Sequence, residues 1–254
     1  MSTTLNDFLM AKLVGSPASA RPLRPGVFVD LDGTLIEPLP ADLADPNPVR
    51  FMPGAGAAIA RLREAGLAVV IVTNQSGIAR GYFSRAQFAR LQDVLERRLQ
   101  EEFGVQIEDV AVCPHSPDAR GRPACLCRKP APGMLTRAAR AHGLDLARSW
   151  MIGDTLDDVE AGHRAGARSV LLDSGGETEW RLSPLREPDG RFNAWEPLVD
   201  QLLTAVSPLP SPDPLRAASP AQMLDEPDRT TGVGSALSVR LRPSLFASSI
   251  PSAL

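Results

Sequence analysis

From Gly26 to about Asp173, short apolar runs alternate with stretches whose apolar residues recur every three or four positions. Val27–Leu31 is apolar and β-branched, and reads as a buried strand. Ala55, Ile59, Leu62 and Ala65 follow at helical spacing behind a Pro53-Gly54 start, and Ala68–Thr73 is a second buried run ending in polar residues. Ser84 with Gln87 is a capping box, opening a helix that puts Phe88, Leu91, Leu95, Leu99 and Phe103 on one face. Ile107–Val112 reads as a third strand, Pro132–His142 as a helix and Ser149–Ile152 as a fourth strand. Leu156–Ala165 reads as a helix closed by Gly166, and Ser169–Leu172 as a fifth strand. This alternation predicts an α/β fold, a Rossmann-like doubly wound parallel sheet with helices on both faces.

In such a sheet ligands gather at the carboxyl ends of the strands. Those ends carry Asp30 and Asp32, Thr73 and Asn74, Cys113, then Gly153 and Asp154. The connection from Ile36 to Met52 is proline-rich and too short for a cap domain. A further helix is expected over Trp195–Val206, so the domain spans 26–206. Residues 207–254 are rich in proline and serine, which suits a disordered tail better than a core. Residues 1–25 read as a flexible leader. Leu5–Val14 followed by Ala18-Ser19-Ala20 faintly resembles an export signal, but Lys12 interrupts it and no basic residue precedes it.

Composition narrows the classes further. The formal charge of −3 gives no basic balance for nucleic acid, and no apolar stretch approaches the ~18 residues of a membrane span. All three cysteines, 113, 125 and 127, lie close together, which suits a reduced compartment and a metal rather than disulfides. A cytoplasmic protein is the resulting expectation, with a monomer as the default because no oligomerisation surface is legible.

Five constellations carry candidate chemistry. In a period-2 strand Asp30 and Asp32 share a face, so both carboxylates can meet one metal or one substrate; the bland reading is a strand followed by an Asp-Gly turn. Thr73-Asn74-Gln75-Ser76-Gly77 offers a hydroxyl, amides and turn N–H groups suited to phosphate oxygens. Arg128-Lys129-Pro130 can place a cation at the site, or can be a solvated basic pair. Asp154 can join Asp30 and Asp32 in an all-oxygen site for Mg²⁺, or can cap the helix that follows; Asp158, one turn on, can support the site from behind. Finally, Cys113-Pro-His115 and Cys125-Leu-Cys127 supply a Cys₃His set suited to a structural, tetrahedral Zn²⁺. That loop, 113–127, runs straight into Arg128-Lys129 and would fix where the cations point. His142 and His163 fall on helices and read as structural.

Taken in order, Asp-x-Asp-Gly-Thr, Thr-Asn, Arg-Lys-Pro and Gly-Asp-x-x-x-Asp, each behind its own strand, resemble the haloacid dehalogenase-like hydrolases over roughly residues 26–175. The resemblance implies phosphoryl transfer from a small phosphorylated metabolite through an aspartyl phosphate. Asp30 would be the nucleophile and Asp32 the general acid, then base. Thr73 and Lys129 would hold the phosphoryl oxygens, while Asp30, the backbone carbonyl of Asp32, and Asp154 would hold Mg²⁺. The zinc loop, Thr73 through Gly81, and Arg128 through Met134 look like the heptose-bisphosphate 7-phosphatases, with the histidinol-phosphate phosphatases similar. There Arg128 would assist substrate recognition, and Asn74, Gln75, Ser76 and Thr155 would line the sugar site. Leu31 stands where both groups usually carry arginine. Polynucleotide 3′-phosphatases share Asp-Leu-Asp-Gly-Thr but lack the zinc cysteines. An idle zinc-stabilised binding module is the reading from another class, and the intact acidic and lysine positions argue against it.

Overall fold

The computed structural model describes residues 22–39 and 49–206. Most of the leader, residues 40–48 of the proline-rich connection, and the 207–254 tail lie outside the described residues. Strands β1 (Gly26–Val29), β2 (Ala68–Asn74), β3 (Asp109–Cys113), β4 (Trp150–Gly153), β5 (Arg168–Leu172) and β6 (Gly190–Phe192) form one sheet. Its order is β3-β2-β1-β4-β5-β6 and every pairing is parallel. Helices α1 (Ala55–Glu64), α2 (Ser76–Ala79), α3 (Arg85–Phe103), α4 (Gly133–His142), α5 (Leu156–Ala165) and α6 (Trp195–Val206) connect and cover the strands. No cap domain is inserted among the described residues.

Alternation along the strands builds a core on each face of the sheet. Val27, Val29, Val69 and Ile71 meet Ile59 and Leu62 of α1, Leu95 and Leu99 of α3, and Leu198 and Leu202 of α6. Phe28, Val70, Val72 and Met151 turn the other way, onto Met134, Leu135 and Ala138 of α4 and Ala161 of α5. Burying such a side chain stabilises the fold by about 1.5–3 kcal/mol each. The predicted capping box is present: Gln87 N–H donates to Ser84 Oγ at 3.2 Å, and Ser84 N–H donates to Gln87 Oε1 at 2.8 Å.

The one-turn α2 is not among the expected elements, and the strands differ from expectation in three places. β1 ends at Val29 rather than Leu31, although Asp30 N–H still donates to Ile152 O at 2.9 Å and holds the chain in line. β3 starts at Asp109 rather than Ile107; Glu108 N–H still donates to Val69 O at 2.8 Å, while the Val69 N–H goes to the Glu108 carboxylate, which also takes Arg63 and Arg24. β6 has no counterpart in the sequence pattern; its three residues Gly-Arg-Phe carry no apolar run. No described helix is long and apolar enough to cross a membrane.

Candidate active site

The strand order reverses direction between β1 and β4, and the crevice beyond their carboxyl ends is where an open α/β sheet takes its ligand. Asp30 follows β1 and Asp154 follows β4. Asp158, one turn into α5, reaches the same place, and ligand oxygens of the three lie within 4.8 Å of one another. Lys129 stands among them. Its ammonium donates to Asp30 and, at 2.9 Å, to Val72 O, and pairs ionically with Asp158 Oδ1 at 2.5 Å. Lys129 is only 3% exposed, which excludes a solvated role for it.

Three buried carboxylates facing one ammonium leave an excess of negative charge. Burial pushes the Asp30 carboxyl well above the usual range; Lys129 opposes this and Asp158 adds to it. Burial likewise lifts Asp154 to about 6, with Asp158 adding and the Thr34 hydroxyl opposing. A hard divalent cation with a preference for oxygen would relieve that excess, so the donor set fits Mg²⁺. The helix-cap alternative for Asp154 falls away, because the N-cap of α5 is Thr155. Thr155 Oγ1 and N–H both donate to Asp158 Oδ2, at 2.6 and 3.1 Å, leaving Asp154 to receive only Thr34 Oγ1, at 3.2 Å, among the described side chains.

The Asp32 carboxylate lies outside this triad. It accepts Gln75 Nε2 at 2.7 Å and Leu39 N–H at 2.9 Å, and burial raises its pKa against those two hydrogen bonds. Gln75 Nε2 also donates to Thr73 Oγ1 at 2.9 Å, so Asp32, Gln75 and Thr73 form one polar chain. Asn74 has a different engagement from the sugar contact expected of it. Its carboxamide spans the Lys129 backbone, accepting Lys129 N–H at 3.0 Å and donating to Lys129 O at 3.2 Å. Beside Asp32, a cleft of about 260 Å³ is lined by Leu39, Gln75, Ser76, Arg80 and Tyr82 among others. Leu31 is fully buried in the α1/α3/α6 core, facing away from the carboxylates.

The cysteine loop is rooted at the end of β3, where Asn74 pairs with Cys113. Sulfurs of Cys113, Cys125 and Cys127 stand 3.3–3.6 Å apart, and His115 Nδ1 is 3.2 Å from Cys127 and 3.6 Å from Cys113. Zn–S bonds of about 2.3 Å in a tetrahedron would set sulfurs roughly 3.7 Å apart, so this donor set fits zinc. Burial pushes the Cys125 thiol up, but hydrogen bonds from Arg128 N–H and the neighbouring cysteines outweigh it and bring the value down to about 7. Arg128 is tied to the loop twice, by that N–H to Cys125 Sγ at 3.3 Å and by Nη1 to His115 O at 3.3 Å. His142 pairs with Asp109 and His163 with Asp189, both away from the site.

Two groups at the site have no role assigned by the sequence pattern. Thr34 belongs to the Asp-x-Asp-Gly-Thr string; it holds Asp154, and its carbonyl takes the Trp195 indole N–H at 3.1 Å. Gly176 lies against Asp154 so closely that a Cβ there would collide with the carboxylate. No spacing rule links positions 154 and 176 across a loop.

Comparison with known proteins now gives the class: a HAD-hydrolase-like family profile matches residues 126–193. The D-glycero-β-D-manno-heptose-1,7-bisphosphate 7-phosphatase of Haemophilus ducreyi is 41% identical over 149 residues, covering 58% of this chain and 81% of that protein. The crystal structure of D,D-heptose 1,7-bisphosphate phosphatase from Bordetella bronchiseptica, complexed with magnesium and phosphate, is 33% identical. It superposes with a TM-score of 0.59 over 71% of this chain and 98% of that one. A HAD-like phosphatase from Mesorhizobium loti is 36% identical with a TM-score of 0.61, over 73% and 87%. The chain belongs to the D-glycero-D-manno-heptose-1,7-bisphosphate 7-phosphatase family of HAD-like phosphatases.

Proposed function

We propose that this protein removes the 7-phosphate of D-glycero-D-manno-heptose 1,7-bisphosphate through an aspartyl phosphate on Asp30, in the synthesis of activated heptose for surface glycan. The observation that carries the reading is the buried Lys129 set between Asp30 and Asp158 beside Asp154, at the switch point of the sheet. Asp30, the Asp32 carbonyl and Asp154 would hold Mg²⁺, with Asp158 behind them. When bound, the cation supplies positive charge that keeps Asp30 ionised and screens a carboxylate from a phosphate dianion. Cys113, His115, Cys125 and Cys127 would hold a structural Zn²⁺. The domain is 26–206, working as a cytoplasmic monomer without nucleic-acid or membrane partners.

The chemistry is shared among several residues. An Asp30 oxygen attacks phosphorus as the bond to the leaving oxygen breaks. Asp32, held by Gln75 and Leu39 N–H, gives that oxygen its proton; its raised pKa keeps the proton on the acid to higher pH than an exposed aspartate would. Asp32 then takes a proton from the water that attacks phosphorus, which frees Asp30 and inorganic phosphate. Lys129 and Thr73 hold the phosphoryl oxygens, and Asn74 fixes where Lys129 lies. Arg128, Gln75, Ser76 and Thr155 face the leaving sugar.

Phosphate release from heptose 1,7-bisphosphate, as either anomer, and from histidinol phosphate, measured side by side with Mg²⁺, tests the substrate. At least about tenfold higher kcat/KM on the bisphosphate is expected. Preference for histidinol phosphate would move the protein to the related amino-alcohol phosphatases.

A further inference from the structure

The segment after β5 does more than reach β6. Along α5 it is fastened at several turns: Arg186 pairs with Asp157 and, at 2.7 Å, with Glu160, while His163 meets Leu185 O and Asp189, each at 2.9 Å. At the end nearest the site, the Glu177 carboxylate accepts Leu156 N–H, the first of the helix, at 2.7 Å. Its other oxygen accepts Glu179 N–H at 2.6 Å, so both oxygens are committed. Thr155, the N-cap, turns its hydroxyl to Asp158 and leaves the Leu156 N–H to Glu177. A carboxylate is favoured there by the helix dipole.

Just before Glu177, the Gly175-Gly176 pair folds back over Asp154. Gly175 has φ of +90°, a backbone state that glycine adopts without strain. Gly176 presses on one Asp154 oxygen, while Thr34 Oγ1 holds the other at 3.2 Å and Gly33 crowds the same carboxylate from the first strand end. The Asp154 carboxylate is thus gripped from two sides, by the turn after β1 and by the loop after β5.

We infer that Glu177 is a positioning residue for the divalent cation: its bond to the α5 N-terminus latches the Gly175-Gly176 loop over Asp154 and holds that carboxylate toward Asp30 and Asp158. The inference rests on the proposed reading of Asp30 and Asp154 as cation ligands, with Asp158 behind them. Groups that orient a metal ligand without touching the metal typically change affinity by about 10–100-fold when removed.

The test is calorimetric titration of Mg²⁺ into the full-length protein and its Glu177→Ala, Glu177→Gln and Gly176→Ala variants, with thermal unfolding in Mg²⁺-free buffer alongside. Glu177→Ala is expected to raise the Mg²⁺ dissociation constant about tenfold. Glu177→Gln, which still accepts the Leu156 N–H, should lie between it and the parent. Gly176→Ala should weaken binding at least as much as Glu177→Ala, because its methyl meets the ligand itself. Equal Mg²⁺ affinity in parent, Glu177→Ala and Gly176→Ala would overturn the inference. So would lower stability in Mg²⁺-free buffer with unchanged affinity, since Glu177 would then be a helix cap and nothing more. A parent that binds no Mg²⁺ would instead overturn the cation reading beneath it.

Discussion

A lysine at 3% exposure keeps its charge because Asp158 and Asp30 raise its pKa against the cost of burial, with Val72 O accepting one of its hydrogens. The residues around that pair are small where they must be. Gly33 sits at φ of +78°, and a Cβ there would strike the Asp154 carboxylate. Gly33→Ala therefore combines backbone strain with displacement of a proposed cation ligand. Its kcat/KM is expected to fall at least about a hundredfold, checked by steady-state assay across a Mg²⁺ series. The sequence announced Asp30, Asp32, Lys129 and Asp154, because acidic and basic residues at strand ends stand out chemically. It did not announce that Asn74 would serve the Lys129 backbone, nor that Thr34 would hold Asp154, 120 positions away. Those partners are set by tertiary packing, which local spacing does not encode.

At the scale of elements, the cysteine loop closes on itself through a Pro117–Pro123 bridge, and its last cysteine, Cys127, stands two residues before Lys129. A tetrahedral ion there would fix the approach of Arg128 and Lys129 to the site. Cys125→Ser is expected to lose most of its zinc by metal analysis and to lower kcat/KM about tenfold through that approach. At the opposite end of the sheet, Glu108 binds Arg24, Arg63 and the Val69 N–H, joining the segment before β1, α1 and β2. Burial raises its pKa, but these partners outweigh burial and hold the folded value below the usual 4.5. Its stabilisation is thus present above 4.5 and is lost as pH falls through the lowered folded value. Glu108→Gln should cost about 1–3 kcal/mol at neutral pH in urea unfolding, with the difference from the parent shrinking as the buffer is acidified. The longer elements were legible because each carries a full apolar face, from α3 with its capping box to the buried run of β2. β6 and the one-turn α2 were not, since three or four residues hold no period.

For the whole molecule, the order β3-β2-β1-β4-β5-β6 brings two strand ends more than a hundred residues apart in sequence into one crevice. Alternating strand and helix patterns foretold a parallel sheet, and that rule alone placed candidate residues at its carboxyl edge. The order of strands was not foretold, because right-handed crossovers permit several orders and the choice lies in which faces pack. The observed order brings Asp30, Lys129 and Asp154 together, and in the proposed mechanism Asp30, at the end of β1, is the attacking group. The most direct measurement is phosphate release from heptose 1,7-bisphosphate by the parent and by Asp30→Asn, both at saturating Mg²⁺ with zinc content and unfolding midpoint matched. The account predicts a loss of at least about a thousandfold in kcat for Asp30→Asn. A variant that keeps a tenth or more of the parental rate would contradict it, and with it the aspartyl phosphate.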